Sequence, residues 1–175
     1  MLKKIVIVVV VMIATVLAYA ATKPDTFHVQ RATRMKAPPE KVFPLINDLH
    51  SHVSWSPWEK MDPAMKKTLS GASNGKGAVY EWPGNSPVGT GRIEITDSVP
   101  SSKVTMRLDM FTPFEAHNVV EFTLDAAGDS TQVTWAMHGP QPYMMRVLSV
   151  FMDCDKMVGQ NFETGLANMK ALVET

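Results

Sequence analysis

Apolar and polar residues alternate through most of the middle of this chain, which is the period expected of β-strands with one buried face. The alternation is clearest in Lys103–Phe111, Glu115–Leu124 and Thr131–His138. The sequence predicts further strands at 27–36, 65–69, Ala78–Trp82 and Gly89–Asp97. A single apolar face on each strand is typical of an antiparallel sheet that is covered on one side only.

Two segments follow a helical period instead. The first segment, 38–49, begins with Pro38 and Pro39, and proline suits the first turn of a helix. The second, 143–173, repeats apolar residues at three- and four-residue spacing to the end of the chain. Within it, Gly159 and Gly165 each weaken a helix by about 1 kcal/mol relative to alanine, which indicates either a close approach to the sheet or a bend. Between the two helical segments, 50–63 is rich in Pro, Ser and Trp and is predicted to be a loop.

The predicted elements follow the order strand, short helix, about six strands, long helix. This order predicts an α+β fold in which a curved antiparallel sheet wraps on the long C-terminal helix. That arrangement buries every apolar face and leaves a cavity between the helix and the sheet. The pattern therefore predicts a protein with an internal cavity, but it does not identify the ligand.

The N-terminus is predicted to be a targeting segment. Lys3 and Lys4 precede an uncharged apolar run from Ile5 to Ala21, a charge order that places the rest of the chain outside the cytoplasm. The run is long enough for a tilted membrane span, but Ala18-Tyr19-Ala20 also fits a signal-peptide cleavage site. Residues 1–21 are thus an anchor or a signal peptide. They are followed by a linker at 22–26 and one domain at 27–175. An uncleaved anchor places this domain at the cell envelope, outside the cytoplasm. Cleavage after Ala20 makes the domain a secreted or periplasmic protein.

Charge and cysteine content narrow the choice of partners. The 175 residues carry 17 basic and 17 acidic side chains, and removing Lys3 and Lys4 leaves 15 basic against 17 acidic ones. This balance argues against nucleic-acid binding, which needs a basic face. Cys154 is the single cysteine, so an intramolecular disulfide is impossible and the domain depends on its hydrophobic core.

Four segments carry a resemblance to a known family: Lys36–Phe43, Asn47–Asp48 with Trp55–Trp58, Val133–Trp135 and Phe162–Lys170. Together they resemble the START-like (SRPBCC) superfamily, and in particular its polyketide cyclase/dehydrase and lipid-transport branch. The resemblance extends over about 27–173. It implies a helix-grip fold with a hydrophobic cavity. The superfamily includes both carriers and enzymes, so it leaves the function open.

The titratable residues do not form a convincing reactive site. Asp48, His50 and His52 are close in sequence, but a stable metal site needs a further ligand, so we predict no metal. His117 falls on the polar face of its strand and is expected to face solvent. Cys154 has no nearby histidine to activate it. We therefore predict no catalytic residue and no cofactor, and the sequence favours a binding protein over an enzyme.

Strand alternation and the apolar stripe of the last helix predict which residues share the interior. Asn118 is the polar member of this set, suited to orienting a ligand carbonyl or hydroxyl. We predict binding or transfer of an apolar small molecule, lipid or isoprenoid-like, with the membrane contacted through residues 5–21. The alternatives are an enzyme of the cyclase/dehydratase type and a non-catalytic envelope accessory protein. The predicted ligand-binding residues are Tyr80, Trp82, Ile93, Ile95, Met106, Leu108, Asn118, Val120, Trp135 and Met152.

Overall fold

The computed structural model describes residues 1–84 and 88–175. The helices are α1 (Leu2–Thr22), α2 (Pro39–Asn47), α3 (His52–Trp55), α4 (Pro57–Met61), α5 (Tyr143–Leu148) and α6 (Cys154–Val173), with a 3-10 turn at Leu49–Ser51. The strands are β1 (Thr26–Met35), β2 (Thr68–Gly71), β3 (Ala78–Pro83), β4 (Thr90–Val99), β5 (Lys103–Thr112), β6 (Ala116–Ala127) and β7 (Ser130–Pro140).

Within the described residues, the seven strands form one antiparallel sheet in the order β1-β7-β6-β5-β4-β3-β2. Every neighbouring pair is antiparallel, as the one-sided alternation predicted. β1 returns to pair with β7, so the first strand of the domain lies beside the last. The predicted α+β helix-grip architecture is confirmed, with α6 packed on the inner face of the sheet.

Helix α6 buries one stripe against the sheet and leaves the opposite side in water. A Cβ atom on Gly165 would lie 2.7 Å from Cζ3 of Trp135, so glycine permits the close approach of helix to sheet here. At Gly159 an added Cβ would overlap the guanidinium of Arg31. Both glycines therefore mark close approach rather than a bend. The buried stripe consists of Phe162, Leu166, Met169 and Val173.

Ion pairs hold the first half of α6 to the edge strand β1. Arg31 donates from Nη2 to Asp155 Oδ2 at 2.9 Å and from Nε to Glu163 Oε1 at 2.8 Å. These contacts raise the pKa of Arg31 and lower that of Asp155. The carboxylates on α6 are therefore used to position the helix.

The predicted long C-terminal helix was wrong in one respect, because the chain breaks between α5 and α6. The side chain of Asp153 accepts a hydrogen bond from the backbone N–H of Lys156 and so caps a new helix. A break resets the helical phase, and the side chains before it no longer share the inward stripe. Phe151 is 72% exposed and Met152 45% exposed. The predicted interior position of Met152 is thus incorrect.

Two smaller corrections concern 50–69. The predicted loop at 50–63 contains the 3-10 turn and the short helices α3 and α4. The strand predicted at 65–69 lies at Thr68–Gly71, and Met65 is buried ahead of it. The short helices have four and five residues, too few to display a hydrophobic period.

Helix α1 covers the predicted apolar run and extends it to Leu2–Thr22. Its length and composition suffice to cross a membrane. A signal sequence meets the same criterion, so this observation fits both predictions for the N-terminus. Most of the helix surface is exposed, and Ala20 is the buried residue within it.

Candidate functional site

A cavity of about 250 Å³ lies between the inner face of the sheet and the first half of α6. Strands β3 to β7 supply one wall, α6 supplies the second, and α3 and α4 close one side. The wall is almost entirely apolar, as the alternation of the strands requires. It is lined by His52, Trp55, Ser56, Trp58, Glu59, Met65, Tyr80, Trp82, Val88, Ile93, Met106, Leu108, Met110, Asn118, Val120, Phe122, Trp135, Met137, Val158 and Phe162.

Most of the residues predicted to share the interior do lie together on this wall. Ile95 is fully buried, but it packs in the core beside the cavity rather than on its surface. Met152 lies in the exposed segment between α5 and α6 and does not line the cavity. The eight predicted residues on the wall are Tyr80, Trp82, Ile93, Met106, Leu108, Asn118, Val120 and Trp135.

Sequence reasoning missed the contribution of α3 and α4, because their segment was predicted to be a loop. His52, Trp58 and Glu59 reach the cavity from this segment. The segment Trp55-Ser56-Pro57-Trp58 did carry a sign of helical, buried structure. Pro57 begins α4, and tryptophans lie on both sides of it. Apolar side chains of that size are rarely left on a solvated loop.

Aromatic rings form the floor of the cavity. Trp135 and Phe162 stack with ring centroids 4.1 Å apart and an interplanar angle of 8°. Trp55 meets Trp135 edge to face at 5.4 Å, and Trp58 does so at 5.8 Å. Trp55 is fixed further because its Nε1 donates to the Leu45 carbonyl at 2.7 Å. The floor is thus a rigid aromatic surface, suited to flat or apolar ligands.

Four buried polar atoms on the cavity wall have no hydrogen-bond partner. They are four of the five such atoms found in residues 1–84 and 88–175: Asn118 Oδ1, His52 Nε2, and Nε1 of Trp82 and Trp135. The great majority of buried polar atoms in folded proteins are paired. Their concentration on one wall gives the apolar cavity two indole donors and an amide carbonyl acceptor.

Asn118 occupies the position that the sequence predicted for a polar contact. It pairs with Leu108 across the sheet and is 7% exposed. An added Cβ on Gly139 of the adjacent strand would overlap Asn118 Oδ1, so Gly139 leaves room for this amide. The side chain is therefore held in place by close packing while its carbonyl oxygen lacks a partner in the described residues.

His52 is neutral at physiological pH. Burial lowers its pKa from the ordinary 6.5 to about 4, and a hydrogen bond to the backbone of Ile46 opposes the shift only in part. Its ring packs edge to face on Trp55, with centroids 4.7 Å apart. The cavity therefore carries no charge from this imidazole near pH 7.

Glu59 brings a buried carboxylate to the wall, already paired on both oxygens. Tyr80 Oη donates to its Oε1 at 2.7 Å, and Lys67 Nζ contacts its Oε2. Burial, together with the neighbouring carboxylate, raises the pKa of the Tyr80 hydroxyl, which stays protonated. The lysine compensates the charge of the carboxylate, so the group adds polarity without a net charge.

The residues considered for a metal do not converge. His50 Nδ1 lies 2.8 Å from Asp48 Oδ1, whereas His52 points into the cavity. Across the described part of the chain, no group of three or more His, Cys, Asp and Glu side chains is arranged to hold a metal ion. His117 lies on the outer face, where Nδ1 is 2.8 Å from Asp109 Oδ1 and that contact raises the pKa of the imidazole.

Comparison with known proteins agrees with this geometry. A family model described as "Polyketide cyclase / dehydrase and lipid transport" matches residues 26–174. No curated protein matches the chain.

Solved structures share the fold at low sequence identity. Protein MLL2253 from Mesorhizobium loti is 16% identical, with a TM-score of 0.62, covering 85% of this chain and 97% of that one. The major latex-like protein 151 of Panax ginseng is 16% identical, with a TM-score of 0.60 and coverage of 87% and 100%. Ara h 8.0201 is 14% identical, with a TM-score of 0.56 and coverage of 85% and 97%.

Proposed function

This chain belongs to the polyketide cyclase / dehydrase and lipid-transport family, a fold group that binds hydrophobic ligands, and on that premise we propose that its cavity holds a compact, neutral, hydrophobic molecule with one polar end. The observation that carries the proposal is the set of four unpaired polar atoms on an otherwise apolar wall. An apolar site with a few placed polar groups is the usual form of a small-molecule pocket.

The cavity volume limits the size of the ligand. At about 250 Å³ it lies just below the range of roughly 300–1,000 Å³ typical of small-molecule sites. A complete two-chain phospholipid does not fit in such a space. A short isoprenoid chain or a small ring system with a short tail does, and the flat aromatic floor favours a ring.

The polar atoms select a neutral ligand. His52 is uncharged at pH 7, and the Glu59 carboxylate is paired with Lys67. A charged ligand end would be buried here without a counter-charge, which is costly. The indole N–H groups of Trp82 and Trp135 donate to carbonyl or hydroxyl oxygens, and Asn118 Oδ1 accepts from a hydroxyl. An alcohol suits both the indole donors and the amide acceptor, and a ketone or a quinone suits the two indole donors.

The proposal places the domain at the cell envelope. Lys3 and Lys4 lie in the first turn of α1, ahead of its apolar run, so a protein that keeps this helix exposes its domain outside the cytoplasm. A carrier tethered in this position has direct access to molecules dissolved in the membrane. We therefore propose that the ligand is a membrane-soluble one.

An enzyme of the cyclase/dehydratase type is the second candidate, favoured by the polar groups contributed by α3, α4 and β3. His52 Nε2 has no partner in the described residues, and Glu59 and Tyr80 are hydrogen-bonded to each other on the same wall. A neutral imidazole with an unpaired ring nitrogen on the cavity wall is able to move a proton on a bound ligand. Turnover of a bound ligand that is lost in His52→Gln, with binding retained, would establish the enzyme.

Native mass spectrometry of the full chain, extracted gently from its own cells, tests the binding proposal. We expect a bound neutral molecule that is absent from Val120→Phe, because residue 120 lines the cavity. Val119→Phe makes the same change on the opposite face of β6 and should retain the molecule. The proposal fails if the protein carries no ligand, or if both variants retain it equally.

A further inference from the structure

The cavity and the end of helix α1 lie at the same end of the sheet. Strand β1 begins at Thr26, which pairs with Pro140 at the end of β7. The antiparallel order places the end of β5 and the start of β6 at this end as well, where Met110 pairs with Ala116. Met110 lines the cavity, so the cavity extends to this end of the sheet. This is also the end at which the chain enters the domain from α1.

This end also carries a group of large exposed apolar side chains, here called the apolar rim. Phe111 lies at the end of β5 and Phe114 in the turn between β5 and β6, and the others lie in or around α5 and the start of α6. Phe114 is 57% exposed and Met144 67% exposed. Single exposed apolar residues are ordinary, but a group of them around one end marks an interaction surface. The rim comprises Phe111, Phe114, Met144, Phe151, Met152 and Met157.

Hydrogen bonds hold α5, which carries Met144 of the apolar rim, against the last turns of α1. Tyr143 Oη donates to the Leu17 carbonyl at 2.8 Å, and Arg146 Nη1 donates to the Lys23 carbonyl at 3.3 Å. Lys23 Nζ donates to the Ser149 carbonyl at 2.7 Å. Helix α5 and the segment after it are thus attached to the point where α1 ends.

The side chains at this junction match a membrane–water boundary. Lys23 Nζ lies 5.6 Å from the ring centroid of Tyr19, and Arg146 Cζ lies 5.4 Å from that of Tyr143. Tyrosine and basic residues gather where membrane helices leave the hydrocarbon. Residues 23–25 separate α1 from β1, a reach of at most roughly 10 Å. A membrane that contains α1 therefore lies next to the rim.

We propose that the apolar rim inserts into the headgroup region of the membrane crossed by α1, so that the rim end of the cavity faces the bilayer. A hydrophobic ligand then passes between the lipid phase and the cavity without crossing water. The partner of this surface is the lipid bilayer, and the inference rests on the proposed membrane anchoring. Amphipathic surfaces of this kind bury their apolar side chains about 5–10 Å into the interface.

Depth-dependent fluorescence quenching tests the inference on the full chain in vesicles of phosphatidylcholine and phosphatidylglycerol. In a Cys154→Ser background, a single environment-sensitive dye is attached at Phe114→Cys, Phe151→Cys, Leu172→Cys or Val11→Cys. Nitroxide-labelled lipids should quench the dye at the two rim positions and at residue 11. Residue 172 is exposed near the far end of α6 and should remain unquenched.

The outcomes separate the two proposals. If residue 11 is unquenched, α1 is outside the bilayer and the membrane anchoring fails. If residue 11 is quenched and both rim positions behave like residue 172, the anchoring holds and the rim proposal is overturned. Quenching at both rim positions and not at residue 172 supports it.

Discussion

Replacing Phe162 with alanine tests whether α6 grips the sheet through the aromatic floor. The side chain is 1% exposed and stacks on Trp135 at 4.1 Å. Removing a buried phenylalanine loses about 1.5–3 kcal/mol of transfer free energy. Losing the stacked pair adds about 0.5–1.5 kcal/mol. We expect a loss of about 3–4 kcal/mol, within the span of about 3–5 kcal/mol known for Phe→Ala in protein cores.

The assay is urea denaturation of a version of the protein that begins at Lys23, with the free energy of unfolding extrapolated to water. Leu172→Ala is the matched control, since residue 172 lies on the same helix and is 42% exposed. It should change the free energy by about 0.5 kcal/mol or less. A loss below about 1 kcal/mol for Phe162→Ala would refute the packing of α6 described above.

Two further predictions concern the floor and the side wall of the cavity. The pKa of His52 falls from 6.5 to about 4 on folding, so stability is fully present above pH 6.5 and is lost as the pH falls toward 4. The loss should be on the order of 3 kcal/mol, and pH-dependent denaturation of His52→Phe should lack this component. Gly165→Ala places a Cβ 2.7 Å from Trp135, so calorimetry should show a destabilisation of about 1–3 kcal/mol, although alanine is the better helix former. An unchanged or raised melting temperature would contradict that close approach.

The central strands were predictable from the sequence because one face of the sheet is buried there. In β5, β6 and β7 that constraint leaves a period of two in the residues themselves, and the period identifies the inward set. Five of the eight predicted residues that line the cavity lie on these three strands, and the other three lie on β3 and β4. Asn118 was identifiable as the polar member of an apolar face.

The remainder depends on contacts between distant segments. The short helices α3 and α4 have no hydrophobic period, so His52 and Glu59 were not placed in the cavity. Met152 was misplaced because Asp153 caps a new helix and so divides the predicted final helix. The cap involves only a few residues, and the apolar spacing continues across it in the sequence. The unpaired polar atoms could not be predicted from any local sequence pattern, because their pairing depends on all the segments that form the cavity wall.

Tryptophan fluorescence measures the central claim most directly, because all four tryptophans of the chain line the cavity. The protein is titrated with a small neutral quinone bearing one short prenyl chain and with the matching hydrocarbon that lacks the carbonyl oxygens. We expect saturable one-to-one quenching by the quinone, tighter than binding of the hydrocarbon. Trp82→Phe, which removes one of the two indole donors, should lower the quinone's affinity about two- to tenfold, the value of one hydrogen bond. Val120→Phe should abolish binding and Val119→Phe should preserve it. Equal affinity for the two probes, or equal binding by the two valine variants, would contradict a cavity that selects a neutral polar-ended ligand.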